Sequence, residues 1–183
     1  DNITWCIVQN PKYISAGRII QQLADVVAKN GSLLLNVGPC ADGSFHPEAV
    51  KQLHRIGDWL KVNGEAIYST RPFAVSGEGD TVMEDEDYNI ERVKQQIRDG
   101  IEMESGSYKL TGNDVRFTQT DEAVYVIGFG APEGGKLRLH TLRQGGPMGE
   151  IRSARLLGAA GDLAFERDEN SIAFTLPERL PFE

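Results

Sequence analysis

The side chains able to act as nucleophiles or metal ligands are few and scattered in this 183-residue sequence. There are two cysteines, Cys6 and Cys40, and three histidines, His46, His54 and His140. No histidine has the neighbouring Ser or Cys arrangement of a catalytic triad. No Cys-x-x-Cys pair or Cys/His cluster predicts a zinc site, and two cysteines do not make a disulfide scaffold. The sequence therefore predicts no structural zinc site.

Carboxylates are plentiful, but they are concentrated in one segment. The net charge is −8, and residues 77–104 hold ten acidic and three basic side chains. Such a run is typical of a solvated surface, and the alternative is a cation or partner site. The acidic balance argues against nucleic acid as the main partner. No apolar run approaches the ~20 residues of a membrane span, so we expect no membrane partner.

Two segments of the first part of the chain have the pattern of β-strands. Residues 3–8 are short, apolar and β-prone, and residues 32–37 contain three consecutive leucines. A strand that is apolar on both faces is typical of a parallel sheet covered by helices. We therefore predict that residues 32–37 form a fully buried strand.

Two helices are predicted around that strand. Apolar residues at helical spacing indicate a first helix over residues 16–30, with Ser15 as its N-cap and Gly31 as its stop. A second helix is predicted over residues 47–63, because Pro47 suits the first helical position. Its predicted apolar stripe includes Val50, Leu53, Ile56, Gly57 and Leu60. The order strand, helix, strand, helix favours a parallel sheet with right-handed crossovers.

After residue 72 the hydrophobic period changes to that of short strands separated by glycine-containing turns. Residues 123–129 are apolar on both faces and predict a central strand, whereas residues 136–142 alternate and predict one solvated face. Residues 78–107 are ambiguous between a helical turn and a hairpin. Several strands at this spacing favour an antiparallel β-sandwich. The predicted strands are 114–120, 123–129, 136–142, 150–157, 163–167 and 171–176.

The first part of the chain cannot complete a sheet by itself. Two parallel strands and two helices leave sheet edges and apolar faces uncovered. The pattern therefore predicts the end of a larger sheet or barrel that other chain segments complete. The alternative is an unusually small α/β layer packed on the sandwich. A chain that opens with Asp rather than Met is expected to be processed or a fragment.

Several motifs, in one order and spacing, carry a resemblance to a known family. Residues 30–39 read NGSLLLNVGP and are followed by Asp42-Gly43, and residues 56–68 read IGDWLKVNGEAIY, followed by Thr70-Arg71-Pro72. Together with Trp5 they resemble the closing part of the catalytic barrel in α-L-fucosidases of glycoside hydrolase family 29. Residues 114–118, 155–158 and 175–177 are similar to runs in that family's C-terminal β-sandwich.

The resemblance implies an α/β plus all-β fold. Residues 1–72 would be the last two βα units of a (β/α)8 barrel, and residues 73–183 an antiparallel β-sandwich that lacks its last strand. The family's nucleophile and acid/base, both carboxylates, lie upstream of the segment that Trp5 matches. No catalytic residue is therefore assigned in this chain, which is predicted to be inactive alone.

Two residues are candidates for substrate binding. Trp5 would lie at the C-terminal end of a barrel strand, where barrel enzymes place their chemistry, and its ring could pack on a 6-deoxy sugar. Asn36 would end the next strand and could bind substrate, orient a catalytic neighbour or hold the loop backbone. The acids Asp42 and Glu48 are better explained by a tight turn and by a helix dipole than as a catalytic pair.

The function implied by the resemblance is hydrolysis of terminal α-linked fucose by a retaining exo-glycosidase, of which this chain is the C-terminal portion. Its partners would be a fucosylated glycan or oligosaccharide and the missing N-terminal barrel portion, and the resemblance implies no metal or organic cofactor. The alternatives are a carbohydrate-binding or structural β-sandwich module, and a pseudoenzyme. The family resemblance implies a secreted, periplasmic or lysosomal location, which nothing in the chain itself specifies.

Overall fold

The computed structural model describes residues 13–81 and 110–181. The predicted strand over residues 3–8 and nearly all of the ambiguous stretch 78–107 lie outside these ranges. The described elements are, in order, helices α1 (Ala16–Ala28) and α2 (Pro47–Asn63), a 3₁₀ turn (Gly64–Ala66), strands β1 (Arg71–Glu78), β2 (Val115–Gln119) and β3 (Val124–Gly128), a second 3₁₀ turn (Glu133–Gly135), and strands β4 (Lys136–Leu139), β5 (Phe165–Arg167) and β6 (Ile172–Thr175).

Helix α1 begins where the sequence predicts and ends slightly earlier. The Ser15 hydroxyl accepts a hydrogen bond from the Arg18 backbone N–H at 3.3 Å, which confirms Ser15 as the N-cap. At the other end Asn30 adopts a left-handed conformation with φ 64°, and the Gly31 N–H donates to the Val26 carbonyl at 2.8 Å. The stop is thus a Schellman motif centred on Asn30 and not on Gly31, since Asn tolerates positive φ.

Helix α2 has the predicted bounds, and its buried face matches the predicted apolar stripe only in part. His46 is its N-cap, with Nδ1 accepting from the Glu48 N–H at 3.3 Å, and Pro47 is its first residue. The buried residues are Ala49, Gln52 and Ile56, whereas Leu53, predicted in the buried stripe, is 39% exposed. Ile56 is buried as predicted and the rest of the stripe apart from Leu53 is half-buried, so the buried face overlaps the prediction and is shifted toward Gln52, which bonds to α1.

The predicted buried strand over residues 32–37 is wrong for the described structure. No residue of that run is in a strand, and Leu34 and Leu35 are 91% and 40% exposed. Only Leu33 packs inward, against the cluster formed by Ala16, Ile19 and Ile56. A central strand needs backbone partners on both sides, and none of the described strands lies beside residues 32–37.

The second part of the chain forms two antiparallel sheets, with orders β1-β2-β3 and β4-β6-β5 among the described strands. Strand β1 was not predicted, and its register with β2 shifts between Pro72 and Gly77. Strand β3 is an edge strand of the described sheet and not the predicted centre, which β2 occupies. Residues 150–157 contain no strand; Arg155 forms only an isolated bridge with Asp162.

Strand β2 has both of its faces covered. Val115 and Phe117 are fully buried in the core between the two sheets, with Leu139 and Ile172 opposite. Arg116 and Thr118 alternate with them and contact the helical layer. Ile127 on β3 packs in that layer against parts of α1 and the first 3₁₀ turn. The described fold therefore has three layers, namely helices, the β1-β2-β3 sheet and the β4-β6-β5 sheet.

None of the helices within the described ranges is long and apolar enough to cross a membrane.

The alternation predicted for residues 136–142 is confirmed in β4, where Leu137 and Leu139 are buried while Lys136 and Arg138 are exposed. One face of β4 thus supplies the sandwich core and the other meets solvent.

Candidate functional site

Of the two predicted substrate-binding residues, Asn36 lies within the described residues and Trp5 does not. Asn36 is exposed, in the segment of residues 31–46 that joins α1 to α2. Trp5 lies outside the described residues, so its placement beside Asn36 stays a prediction. Leu34 and Phe45, from the same segment, are 91% and 50% exposed. The segment therefore presents apolar and amide side chains together on the surface of the described chain.

Residues 40–44 of this segment form the predicted tight turn. The Gly43 N–H donates to the Cys40 carbonyl at 3.0 Å, with Gly43 at φ 84°, and the Cys40 N–H donates to the Ser44 carbonyl at 2.7 Å. Asp42 Oδ1 accepts from the Ser44 hydroxyl and from its N–H, at 2.6 and 3.0 Å. These bonds lower the pKa of Asp42. Asp42 is thus an ionised turn residue, and a general acid needs the opposite shift.

Tyr13 and His46 lie together near the start of α2. The Tyr13 ring stacks on the His46 ring, with centroids 5.3 Å apart and an interplanar angle of 24°. Burial raises the pKa of the Tyr13 hydroxyl, and the nearby Cys40 and Glu48 side chains raise it further. A neutral hydroxyl at this position can donate or accept a hydrogen bond at neutral pH.

Glu48 links the two helices through Gln52. The Gln52 side-chain amide donates to Glu48 Oε1, and its Oε1 accepts from the Ala16 N–H at 2.8 Å. The Gln52 hydrogen bond, with smaller contributions from Lys51 and Arg55, lowers the pKa of Glu48. Glu48 is therefore ionised and engaged in joining the helix N-termini. This is a structural role, which agrees with the sequence argument against Glu48 as a catalytic acid.

The sequence analysis did not select Tyr13 or Gln52. Gln52 had a usable signal, because it lies three residues after Ala49 and four before Ile56, on one face of α2. A polar residue inside an apolar face must find a buried partner, and here it is a free N–H of the α1 N-terminus. Tyr13 had no such signal. Within the described residues, no group of three or more His, Cys, Asp or Glu side chains is placed to hold a metal ion.

Comparison with known proteins finds similarity to α-L-fucosidases. The sequence model of the α-L-fucosidase family matches residues 1–65. The tissue α-L-fucosidase of Rattus norvegicus is 27% identical over 169 residues, which is 92% of this chain and 29% of the relative. The plasma α-L-fucosidase of Homo sapiens is 40% identical over 73 residues, 40% of this chain and 15% of the relative.

Comparison of the structure with solved structures also finds an α-fucosidase. The crystal structure of Thermotoga maritima α-fucosidase superposes with a TM-score of 0.68 at 25% identity, covering 95% of this chain and 33% of that one. The chain therefore spans about a third or less of the length of the relatives it matches. Both the helical layer and the sandwich are included in the similarity, since it covers nearly the whole chain.

Proposed function

Because this chain is related to the C-terminal portion of α-L-fucosidases, we propose that it belongs to a glycoside hydrolase that removes terminal α-linked fucose. In this proposal residues 1–72 close the catalytic barrel and residues 73–183 form the sandwich beside it. The observation that carries the proposal is the similarity over 92% of the chain to a tissue α-L-fucosidase. The Thermotoga maritima relative has been solved with fucose, which supports a fucose-containing substrate.

The catalytic carboxylates are proposed to lie in the preceding part of the protein. A retaining glycosidase needs two carboxyl groups about 5–5.5 Å apart, one to form the glycosyl-enzyme and one to act as acid and then as base. Asp42 in the 31–46 segment and Glu48 in the first turn of α2 both have lowered pKa values and structural hydrogen bonds. This chain alone is therefore proposed to be inactive.

The exposed leucines support a docking role for the 31–46 segment. Leu34 and Leu35 of the segment are 91% and 40% exposed, and Leu53 on helix α2 is 39% exposed. Large exposed apolar surfaces mark interaction sites. In the proposal the preceding part of the barrel covers them, and its strands supply the backbone partners that residues 32–37 need to form a strand. Asn36 would then reach the substrate end of that strand, next to Trp5.

Trp5 is proposed to pack against the apolar side of fucose. In the full-length protein, Trp5→Ala should raise the inhibition constant of a fucose analogue by about 10- to 100-fold, which corresponds to ~1–3 kcal/mol. The matched control is Trp59→Phe, because Trp59 packs in the cluster between the helices and β3. Wild-type turnover of an aryl α-L-fucoside with retained anomeric configuration is expected. An unchanged inhibition constant in Trp5→Ala would remove Trp5 from the site.

A bracing role for the sandwich is favoured over glycan binding. Tyr125, one of its aromatic-hydroxyl residues, packs against the helical cluster instead of forming an exposed platform, and Tyr108 lies outside the described residues. The reaction as proposed needs no metal or organic cofactor, since both catalytic roles belong to carboxylates. A secreted, periplasmic or lysosomal location is part of the same proposal. A pseudoenzyme is the remaining alternative, and lack of turnover by the folded full-length protein would establish it.

A further inference from the structure

Arg116 is a buried cation that the proposed reaction does not use. It lies on β2 with 9% of its side chain exposed, and Nε donates to Asp25 Oδ1 on helix α1 at 2.5 Å. Nη1 donates to the Val115 carbonyl at 3.0 Å, and the guanidinium carbon lies 5.2 Å from the centroid of the Phe129 ring. Hydrogen bonds and this cation–π contact hold the planar group in one position.

Asp25 also bonds to the residue that follows the last turn of α1. Its second oxygen, Oδ2, accepts from Lys29 Nζ at 3.0 Å, one turn further along the helix. The Lys29, Asn30 and Gly31 N–H groups close the helix end by donating to carbonyls of residues 25–27. The Asp25 carboxylate therefore connects the central strand of the sheet to the turn from which the 31–46 segment departs.

A second polar contact from the same strand holds the other side of the helical layer. Two residues after Arg116, the Thr118 hydroxyl donates to the Ala66 carbonyl at 2.7 Å, just after α2. Thr118 is fully buried. Polar groups that are buried and satisfied across an interface fix its register, because any shift leaves donors or acceptors unpaired.

We propose that Arg116 is a positioning residue for substrate binding. Through Asp25 it fixes the last turn of α1, and with it the start of the segment that carries Asn36. The sandwich thus contributes to the sugar site without touching the sugar. This inference rests on the proposed function, because it takes the 31–46 segment to be part of the substrate-binding end of the barrel.

The first arm of the test is kinetic and uses the full-length protein with an aryl α-L-fucoside. Arg116→Met, which keeps the apolar stem, should raise KM about fivefold or more while kcat stays within about twofold. Asp25→Asn should act in the same direction. The double variant should be no worse than the more affected single variant, because both remove one link. Arg116→Lys, which keeps the charge, should recover part of the loss.

The control is Arg71→Met. Arg71 forms an ion pair of the same kind with Asp121, at 2.8 Å, but the side chains are 53% and 90% exposed and join the start of β1 to the turn between β2 and β3. Its loss should leave KM unchanged, because exposed ion pairs contribute little and this one does not reach α1. A KM in Arg116→Met equal to that of Arg71→Met, or additive effects in the double variant, would overturn the proposal.

The second arm is hydrogen exchange, which does not depend on activity. The Lys29, Asn30 and Gly31 amides should exchange about tenfold faster in Arg116→Met than in the wild type, and at the wild-type rate in Arg71→Met. Unchanged exchange in Arg116→Met contradicts the proposal. If the wild type has no fucosidase activity, the proposed function fails and this arm alone decides the positioning role. If Arg116→Met does not fold, Asp25→Asn, which retains Arg116 on Phe129, replaces it. The same rise in KM and the same faster exchange are then expected of Asp25→Asn.

Discussion

The antiparallel sandwich and the 31–46 segment are both rich in apolar residues, but they differ in where the partners of those residues come from. Phe117 and Leu139 are fully buried because the two sheets supply each other's cover. Leu34, in a run that is no less apolar, is 91% exposed because none of the described strands lies beside it. A hydrophobic run in the sequence therefore predicts burial only where other parts of the fold lie against it.

The largest expected effect compares one apolar residue of each region. Phe117→Ala should destabilise the chain by about 3–5 kcal/mol, because it opens a cavity between the sheets. Leu34→Ala in the same chain should change the free energy of unfolding by less than about 0.5 kcal/mol, as for other surface substitutions. Urea denaturation of the two variants measures both. Equal losses would mean that residues 32–37 are buried in the chain in solution.

The same Leu34→Ala variant sharpens the comparison in the full-length protein. If the preceding part of the barrel covers the segment, the loss should rise to about 2–4 kcal/mol, the range for a buried leucine. Phe117→Ala should cost the same in both contexts, and it serves as the control. A Leu34→Ala loss that stays near zero in the full-length protein would place Leu34 outside the barrel interior.

A smaller effect is expected at Asp114, the residue immediately before β2. Although burial alone would raise it, the pKa of Asp114 is lowered by hydrogen bonds from Thr111 and Thr81. A carboxylate with a lowered folded-state pKa stabilises the fold above its unfolded value of ~3.9. That contribution is lost as the pH falls through the folded-state pKa.

Asp114→Asn should therefore cost about 1–3 kcal/mol at pH 7 and flatten the acid limb of the stability curve. The measurement is the unfolding free energy at a series of pH values between ~2 and 7. Asp121→Asn is the matched control, since Asp121 is 90% exposed on the same sheet. An acid limb in Asp114→Asn as steep as that of the wild type would show that Asp114 is not its source.

The smallest effect is expected at the N-cap of α1. Ser15→Ala removes the hydroxyl that accepts from the Arg18 N–H and should cost about 0.5–2 kcal/mol. Ser15→Asp, which keeps an acceptor and adds a favourable charge near the positive end of the helix, should retain the stability. Thermal unfolding by circular dichroism compares the two variants. A melting temperature of Ser15→Ala equal to that of Ser15→Asp would contradict the capping role.

The parts of the fold that sequence predicted are those set by neighbours in the chain. Ser15 and Pro47 mark helix starts because capping and a fixed φ act within one turn. The alternation in β4 predicts its solvated face for the same local reason. Gly77 in β1 is different, since a Cβ there would collide with the Val115 carbonyl, a contact about forty positions away in the chain.

What sequence could not predict depends on which segments become neighbours. Residues 123–129 looked central because they are apolar on both faces, yet one of those faces meets the helical layer and β3 is an edge strand among those described. In the candidate site, the structural use of Glu48 was anticipated from the helix dipole. Its bridge through Gln52 to Ala16 was not, because it joins groups 36 residues apart.

We propose that this chain supplies one part of an active site whose catalytic carboxylates lie elsewhere in the protein, and turnover by the purified chain tests this most directly. The chain should be silent toward an aryl α-L-fucoside by itself, because it lacks the proposed pair of catalytic carboxylates. Turnover should appear when the preceding part of the protein is added and the two parts fold together. Turnover by the chain alone, after contaminating enzyme has been excluded, would contradict the account. Absence of turnover by a well-folded complex of the two parts would contradict the proposed activity.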